Sequence, residues 1–220
     1  MDDPKLLEVL EVFAARICHD LVGAVGAVSN GVELLSEGGE AADPEVLALI
    51  SSSARTASRR LQYFRTAFGT GSALSATRPL DGARSLAASF LEEGKVALDW
   101  AEPPAAAEAA AGRRAAKAVL NLVIVAADCL PRGGRVAIEA APVEAAPVEA
   151  GLSIRVRASG AQARLADDHR AALAASVGAP TPRGVPSWIV RALVDDAKGS
   201  VEVTEGQDIV VLASRLPRQY

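Results

Sequence analysis

Apolar side chains recur at spacings of three and four residues through the first third of the chain, a period typical of amphipathic helices. Gly38 and Gly39 separate two such runs. Asp43 and Pro44 then supply an N-cap and a first-turn proline for the second run. The sequence therefore predicts two long helices joined by a short loop. Their stripes are Leu6, Leu10, Phe13, Ile17, Leu21, Val25, Val28, Val32 and Leu35, followed by Leu47, Ile50, Ala54, Ala57, Leu61, Phe64 and Phe68.

An antiparallel helical hairpin can cover only one side of each apolar stripe. A second hairpin from another copy of the chain would cover the rest and complete a four-helix bundle. The pattern therefore predicts a homodimer.

The first helix carries one of the two histidines of the chain. His19 lies two residues after Ile17 and two before Leu21, so at about 100° per residue it points away from the apolar stripe. We expect His19 to be exposed on the outside of the bundle, where Asp20 can orient or polarise its ring. An exposed neutral imidazole is a competent nucleophile, although an idle surface histidine fits the same geometry.

The remaining two thirds of the chain alternate between helical and strand patterns. Helices are predicted at 80–93, 113–130 and 187–198, and strands at 95–100, 135–140, 152–158, 200–204 and 208–213. This order favours an α/β sandwich with helices on one face of a mixed sheet. The repeated pentapeptide APVEAAPVEA at 141–150 is interpreted as a flexible or extended hairpin loop. We therefore predict a hairpin domain at 1–72 and a sandwich domain at 73–220.

Composition and charge argue against several classes of protein. A net charge of −4 and a pI near 5.3 provide no basic surface for nucleic acid. The acidic N-terminal sequence does not resemble a secretory signal, and no apolar run approaches the roughly 20 residues that span a bilayer. Cys18 and Cys129 form neither a disulfide framework nor a metal-binding spacing. We expect a cytoplasmic protein that binds neither nucleic acid nor membrane.

The stretch CHDLVGAVGAVSNGVELL at 18–35 resembles the H-box of the sensor histidine kinase superfamily. It is more similar still to the ChpT-type histidine phosphotransferases of alphaproteobacteria, in which C-H-D-L is followed by N-G-x-E-L-L. The usual proline after the histidine is absent, since Gly23 and Ala24 stand there. The resemblance implies an α+β protein: a hairpin that forms a four-helix bundle on dimerisation, then an α/β sandwich resembling the kinase ATPase domain.

The parts of the chain that align with the kinase ATP site have lost their functional residues. Asn121 matches the first asparagine of the N-L-x-x-N-A motif, but Val125 replaces the second, and a valine cannot hold magnesium. Ala158 replaces the aspartate that binds adenine. In RGVPSWIVRAL, Pro186 and Trp188 replace the glycine-rich phosphate loop. These three losses predict that the chain binds no ATP and no cofactor of its own.

The family resemblance implies a phosphorelay. His19 would accept a phosphoryl group from the receiver domain of a hybrid histidine kinase and pass it to the receiver domains of response regulators. Magnesium would be bound by those receivers. Asp20 is the candidate orienting partner or base, although it could simply accept a hydrogen bond on the helix surface.

Candidate docking residues for a receiver lie beside His19 and on the second helix. They are Arg16, Val22, Gly23, Gly26, Arg55, Arg59 and Arg60. Each has a structural alternative, because glycines also permit close helix packing and arginines also solvate a helix face. For Arg16 the alternative is an ion pair with Asp20, one turn away.

Two rival functions stay open from the sequence. One is an ATP-dependent histidine kinase with an atypical site, and the other is a scaffold that binds receivers without chemistry. The second histidine, His169, is interpreted as a helix-surface residue without a chemical role. Cys129, near the end of a strongly apolar helix, is interpreted as a core residue.

Overall fold

The computed structural model describes residues 3–37, 43–69, 74–92, 94–143, 151–174 and 178–217. Two long helices, α1 (Asp3–Glu37) and α2 (Pro44–Ala67), form the predicted hairpin. The Asp43 side chain accepts a hydrogen bond from the Glu45 amide at 2.8 Å, which confirms the predicted N-cap. Gly38 and Gly39 lie outside the described residues. The predicted division at residue 72 remains a prediction.

The hairpin leaves much of its apolar surface uncovered. Gly31 is buried against α2, where a Cβ atom would lie 2.5 Å from Cγ1 of Ile50, so glycine permits this close helix contact. Large apolar side chains elsewhere remain exposed on both helices. These are Leu6, Leu7, Leu10, Val22, Val25, Val32 and Leu34 on α1, and Leu47, Leu49 and Leu61 on α2. Six of them belong to the apolar stripes that the sequence identified, and the homodimer predicted to cover those stripes stays a prediction.

Residues Leu6–Glu37 of α1 are long and apolar enough to cross a membrane by length and composition alone. This corrects the expectation that no stretch of the chain meets that criterion. One such helix near an N-terminus is weak support for membrane insertion, since core helices of soluble proteins and signal sequences pass the same test. The middle of α1 also carries charged Arg16 and Asp20.

The rest of the chain forms a five-stranded mixed sheet with helices. The order β1-β2-β3-β5-β4 has one parallel pair, β1 with β2, and antiparallel pairs elsewhere. The elements are α3 (Pro79–Leu91), β1 (Val96–Asp99), α4 (Ala105–Ala110), α5 (Arg113–Asp128), β2 (Gly134–Val143), β3 (Gly151–Ser159), α6 (Asp167–Ala174), α7 (Val185–Asp196), β4 (Ser200–Gly206) and β5 (Ile209–Pro217).

The predicted element order lacks two of these helices, α4 and α6. They are six and eight residues long, too short to display a helical period in the sequence. Helix α4 nevertheless has a defined role. Its buried Glu108 accepts hydrogen bonds from the amides of Leu80 and Asp81 at 3.0 and 2.7 Å, and so caps the start of α3 from a distance.

Burial alternates along the central strands, so one face of the sheet is covered. On β3, Ile154 and Val156 are fully buried, whereas Arg155 and Arg157 between them are exposed. Helix α5 packs on the covered face, and eleven of its residues are buried. Its neighbour Cys129 is fully buried, as predicted.

The pentapeptide repeat is only in part a loop. Residues 141–143 belong to β2 and pair with β3, from Ala141 opposite Ser153 to Val143 opposite Gly151. The interpretation of 141–150 as a loop is therefore wrong for its first three residues, because edge-to-edge pairing with β3 continues the strand. The remainder of the repeat lies outside the described residues.

Three side chains fix the end of α2 to the sandwich. The Tyr63 hydroxyl donates to the Leu120 carbonyl at 2.7 Å, and the Asn121 amide donates to the Ala67 carbonyl at 2.8 Å. The Lys117 ammonium donates to the Gly69 carbonyl at 2.7 Å. Because carbonyls at a helix C-terminus lack intrahelical partners, the Asn121 and Lys117 contacts cap the end of α2. All three contacts join this end of the hairpin to α5.

Candidate functional site

His19 lies on the outer surface of α1, as its position opposite the apolar stripe predicted. Its side chain is 83% exposed. The Nδ1 atom lies 3.1 Å from Oδ1 of the neighbouring Asp20, whose side chain is only 15% exposed. The aspartate is therefore the fixed member of the pair, and the imidazole extends from it into solvent.

The contact with Asp20 selects which ring nitrogen of His19 is available for chemistry. An ionised carboxylate has acceptors only, so Nδ1 must carry the proton and donate it. In the neutral ring Nε2 then keeps its lone pair and faces solvent. This arrangement can present a nucleophilic nitrogen to a docked partner.

Arg16 is a buried residue rather than an exposed docking residue. Its Nε donates to Oδ2 of Asp20 at 2.7 Å, which is the ion pair that the sequence offered as the alternative. Its Nη1 also donates to Oδ2 of Asp128 at 3.2 Å, across 112 residues of sequence. Arg16 thus ties the His19 segment to the end of α5.

The expectation that His169 lies on a helix surface is wrong. His169 is fully buried, because α6 packs against α7 on that side. Its Nδ1 lies 2.9 Å from the Ser187 hydroxyl, and its Nε2 lies 3.2 Å from Oδ2 of Asp128. Since the carboxylate can only accept, Nε2 carries the proton and donates it.

Electrostatics favour charged forms of Asp128 and Arg16. Burial raises the pKa of Asp128, but the hydrogen bond from His169 and the charge of Arg16 outweigh it, so the net pKa lies below the ordinary 3.8. Burial lowers the pKa of Arg16, but the charges of Asp128 and Asp20 outweigh it and raise that pKa. The two groups therefore form a stable ion pair at neutral pH.

His19 stands at the edge of a cleft between the hairpin and the sandwich. The cleft has a volume of about 390 Å³ and is lined by Arg16, His19, Asp20, Asp128, Asp168, Thr181, Pro182 and Arg183. The sequence did not indicate the last five of these. Asp168 fixes the far wall, since its carboxylate accepts the Thr181 hydroxyl at 2.8 Å. Arg183 is exposed and lines the same wall.

The small residues beside His19 leave a flat, exposed patch on α1. Val22 is 66% exposed, and a Cβ atom built on Gly23 or Gly26 would have no neighbour within 4 Å. Close packing within the chain therefore does not explain these two glycines.

The three candidate arginines of α2 have different surroundings. Arg60 donates to the backbone carbonyl of Asp20 and so belongs to the site. Arg59 pairs with Glu92 at 3.1 Å, and Arg55 is exposed on the helix. The structure thus brings one of the three into contact with the His19 segment.

No cluster of three metal-binding side chains occurs among the residues that the structure describes. Cys18 is exposed next to His19, whereas Cys129 is buried next to Asp128. Burial, with smaller contributions from Asp128 and Glu205, raises the pKa of Cys129 to about 12. The Cys129 thiol is therefore a protonated core group.

Comparison with known proteins decides the family. A profile for the histidine phosphotransferase C-terminal domain matches residues 80–209, more than half of the chain. The chain belongs to the histidine phosphotransferase family. Over 142 residues it is 37% identical to protein phosphotransferase ChpT of Brucella abortus (strain 2308), which is 63% of this chain and 65% of that protein. The matched region therefore spans less than two thirds of the Brucella protein. The family match and this identity confirm the ChpT-type resemblance of the sequence.

Solved structures extend the likeness to the hairpin of this histidine phosphotransferase. A bacterial phosphotransferase structure at 1.7 Å has 26% identity and a TM-score of 0.73, covering 94% of this chain and 96% of its own. The histidine kinase AdeS of Acinetobacter baumannii has 13% identity and a TM-score of 0.50, covering 92% and 98%. The second match shows the shared fold alone and confirms the predicted kinase-like architecture.

Four residues at which the sequence predicts loss of an ATP site lie in the core of this histidine phosphotransferase or near its hairpin. Val125 on α5 and Ala158 on β3 are buried in the hydrophobic core. Pro186 is buried in the first turn of α7, and Trp188 packs edge-on against Phe13 of α1 with ring centroids 6.1 Å apart. The segment RGVPSWIVRAL thus contacts the hairpin through Trp188.

Proposed function

We propose that this protein is a phosphorelay intermediate in which His19 carries the phosphoryl group. The group comes from a phosphoaspartate in the receiver domain of a hybrid histidine kinase. It then passes to the aspartate of a response regulator receiver. Exchange takes place in the cytoplasm, without ATP and without nucleic acid or membrane as a partner.

One observation supports the proposal most directly: the His19 side chain is 83% exposed and its Nδ1 lies 3.1 Å from Oδ1 of Asp20. With Nδ1 donating to Asp20, Nε2 of the neutral ring is left to attack phosphorus. A carrier must be approached in line by two large partners in turn, so its nucleophile has to project from the surface. Membership of the histidine phosphotransferase family supports the same role.

In the first transfer, the Nε2 lone pair of His19 forms a bond to phosphorus as the bond from phosphorus to the aspartate oxygen breaks. The receiver regains a free carboxylate. Nδ1 keeps its proton, and Asp20 stabilises the positive charge that develops on the ring. The second transfer reverses these changes on another receiver. Magnesium bound by each receiver stabilises the charge on the phosphoryl oxygens.

A lack of ATP binding is supported by the surroundings of Val125 and Asn121. Val125 is fully buried and offers no metal ligand. Asn121, which matches the first asparagine of the kinase motif, caps α2 with its amide group. These residues favour a carrier over an ATP-dependent kinase.

A homodimer is supported by the exposed apolar stripe of the hairpin, because a second hairpin would bury it in a four-helix bundle. The receiver would then dock beside His19, over Val22, Gly23 and Gly26. Arg60 reinforces this segment from α2, and Arg55 and Arg59 lie farther along the same helix. The cleft wall with Arg183 would meet the receiver from the other side.

The experiment follows radiolabelled phosphate onto the purified full-length chain. A hybrid kinase with its receiver serves as donor, and ATP alone serves as the control. We expect acid-labile label only when the donor is present, followed by transfer to a response regulator receiver. The His19→Ala variant should take up no label while keeping the dimeric mass of the wild type.

Two outcomes would overturn the proposal. Label from ATP alone would identify a kinase. If the wild type takes up no label but binds the receiver, His19 is idle and the protein is a scaffold. Sedimentation of the dimer together with the receiver distinguishes the second case from a failed preparation.

A further inference from the structure

Arg16 lies between two carboxylates that belong to different parts of the fold. Asp20 accepts from its Nε at 2.7 Å, and Asp128 accepts from its Nη1 at 3.2 Å. Asp20 is one turn away on α1, whereas Asp128 is the last residue of α5. The planar guanidinium can satisfy both carboxylates only in one orientation, so the sandwich fixes how Arg16 faces Asp20.

Asp128 is fixed in turn by the buried imidazole of His169. The same oxygen, Oδ2, that accepts from Arg16 accepts from His169 Nε2 at 3.2 Å. On its other side the imidazole meets the Ser187 hydroxyl at 2.9 Å. Since His169 and Ser187 are fully buried, Asp128 cannot turn without leaving a buried donor unpaired.

These contacts form an unbroken chain that ends at His19. Arg16 occupies Oδ2 of Asp20, which leaves Oδ1 directed at Nδ1 of His19. The chain runs from Ser187 through His169, Asp128, Arg16 and Asp20, and joins α7, α6 and α5 to α1. We define these five residues, of which Asp20 and Asp128 are partly exposed, as the Ser187–Asp20 network.

We propose that the Ser187–Asp20 network is a positioning device through which the sandwich domain holds His19 in the tautomer with a free Nε2. His169 and Asp128 are its positioning residues, and neither contacts the phosphoryl group. The proposal rests on the proposed role of His19 as phosphoryl carrier. Direct hydrogen-bond partners of metal-bound histidines typically change activity by about 10- to 100-fold when they are mutated. His169 is four contacts away from His19, through Asp128, Arg16 and Asp20, so we expect an effect at the lower end of that range.

The test measures two properties of the full chain in the wild type and in His169→Ala. One is the tautomer of the neutral His19 ring, read from long-range ¹⁵N–¹H correlations. The other is the single-turnover rate of transfer from a phosphorylated receiver, with the receiver concentration at half-maximal rate. We expect His169→Ala to mix the two tautomers and slow transfer about tenfold, with little change in the half-maximal concentration.

Matched variants separate positioning from loss of stability. Tyr63→Phe removes another buried contact between hairpin and sandwich, and should leave the His19 tautomer and the rate unchanged. His169→Gln keeps an N–H that can reach Asp128, and should restore most of both signals. In an Arg16→Gln background, His169→Ala should cause no further change, because the ion pair that connects Asp128 to Asp20 through Arg16 is already lost.

The proposal is wrong if His169→Ala lowers stability yet leaves the tautomer and rate at wild-type values. It is also wrong if Tyr63→Phe reproduces both effects. Should His169→Ala fail to fold, Ser187→Ala removes only the terminal hydroxyl and must show the same effects to a smaller extent. A shifted tautomer in a chain that never accepts phosphate would support the positioning and overturn the carrier function.

Discussion

The segments around the two histidines use the same chemical groups in opposite settings. Each histidine meets an aspartate, at 3.1 Å for His19 and Asp20 and at 3.2 Å for His169 and Asp128. Arg16 contacts both aspartates. His19 nevertheless has a side chain that is 83% exposed, whereas His169 has none of its surface exposed.

The ring nitrogens are used in opposite ways as well. His19 donates from Nδ1 and leaves Nε2 open to solvent, while His169 donates from Nε2 and turns Nδ1 toward the Ser187 hydroxyl. A histidine beside an aspartate is therefore not by itself a reactive site. Access and the choice of nitrogen decide whether the pair can do chemistry or only holds structure.

The largest expected difference between the two histidines is in phosphorylation. A phosphorylated receiver should label His19 and leave His169 at background, because in-line attack cannot reach a fully buried ring. Mass spectrometry of peptides kept at alkaline pH locates the phosphate. Phosphate on a peptide that contains His169 would show that α6 opens during transfer. It would contradict the conclusion that burial makes His169 unreactive.

A second large difference concerns the two cysteines, since Cys18 precedes His19 and Cys129 follows Asp128. A pKa of about 12, against an ordinary 9.0, leaves the Cys129 thiolate about a thousandfold less populated at neutral pH. We expect maleimide to label exposed Cys18 rapidly and Cys129 only after denaturation. The Cys18→Ser variant is the control, and fast labelling of that variant in its native state would contradict the burial of Cys129.

Local periodicity in the sequence predicts the exposure of His19 but not the burial of His169. The exposure of His19 follows from its distance to Ile17 and Leu21 on a single helix, and the N-cap at Asp43 follows from adjacent residues. Pattern and propensity contain this information because helical neighbours are also neighbours in sequence. The hairpin and the strands of the sheet were predictable for that reason.

The surroundings of His169 depend on contacts between distant residues. Its two partners lie 41 and 18 positions away, and Arg16 reaches Asp128 across 112 positions. The capping of α3 by Glu108 across 27 and 28 positions was missed for the same reason. One local signal existed: Asp128 is a carboxylate that ends a helix with eleven buried residues, and such a group needs a partner.

The two aspartates should differ in their contribution to stability. Asp128→Ala leaves the buried N–H of His169 and one side of Arg16 without a partner, so we expect a loss of about 2 to 3 kcal/mol in the free energy of unfolding. Asp20→Ala leaves Arg16 paired with Asp128 and His19 in water, so about 1 kcal/mol is expected. Urea denaturation of both variants measures the difference. Equal losses would mean that the buried His169–Asp128 pair depends on its aspartate no more than the exposed His19–Asp20 pair does.

The smallest expected effect is on the pH dependence of stability. The pKa of Asp128 lies below its ordinary 3.8 in the folded chain, so the folded state binds fewer protons than the unfolded state in that range. The stability that Asp128 contributes is therefore complete above about pH 5. It is lost progressively as the pH falls through the ordinary value of 3.8 and then through the lower folded value. We expect Asp128→Asn to be less stable than the wild type at pH 7 but to lose less stability between pH 5 and pH 3.

Asp81→Asn is the matched control for this titration. A hydrogen bond from Arg84 lowers the pKa of Asp81 as well. Asp81 is partly exposed and pairs with the partly exposed Arg84, whereas Asp128 pairs with the buried Arg16 and His169, so water and salt screen the pairing of Asp81 more strongly. We therefore expect a smaller change in pH dependence for Asp81→Asn, and one that added salt reduces further. Urea midpoints at each pH, with and without 0.5 M salt, compare the two variants. If the Asp128→Asn curve parallels the wild-type curve, protonation of Asp128 is not coupled to folding. The His169–Asp128 pair is then held by packing around His169 rather than by charge.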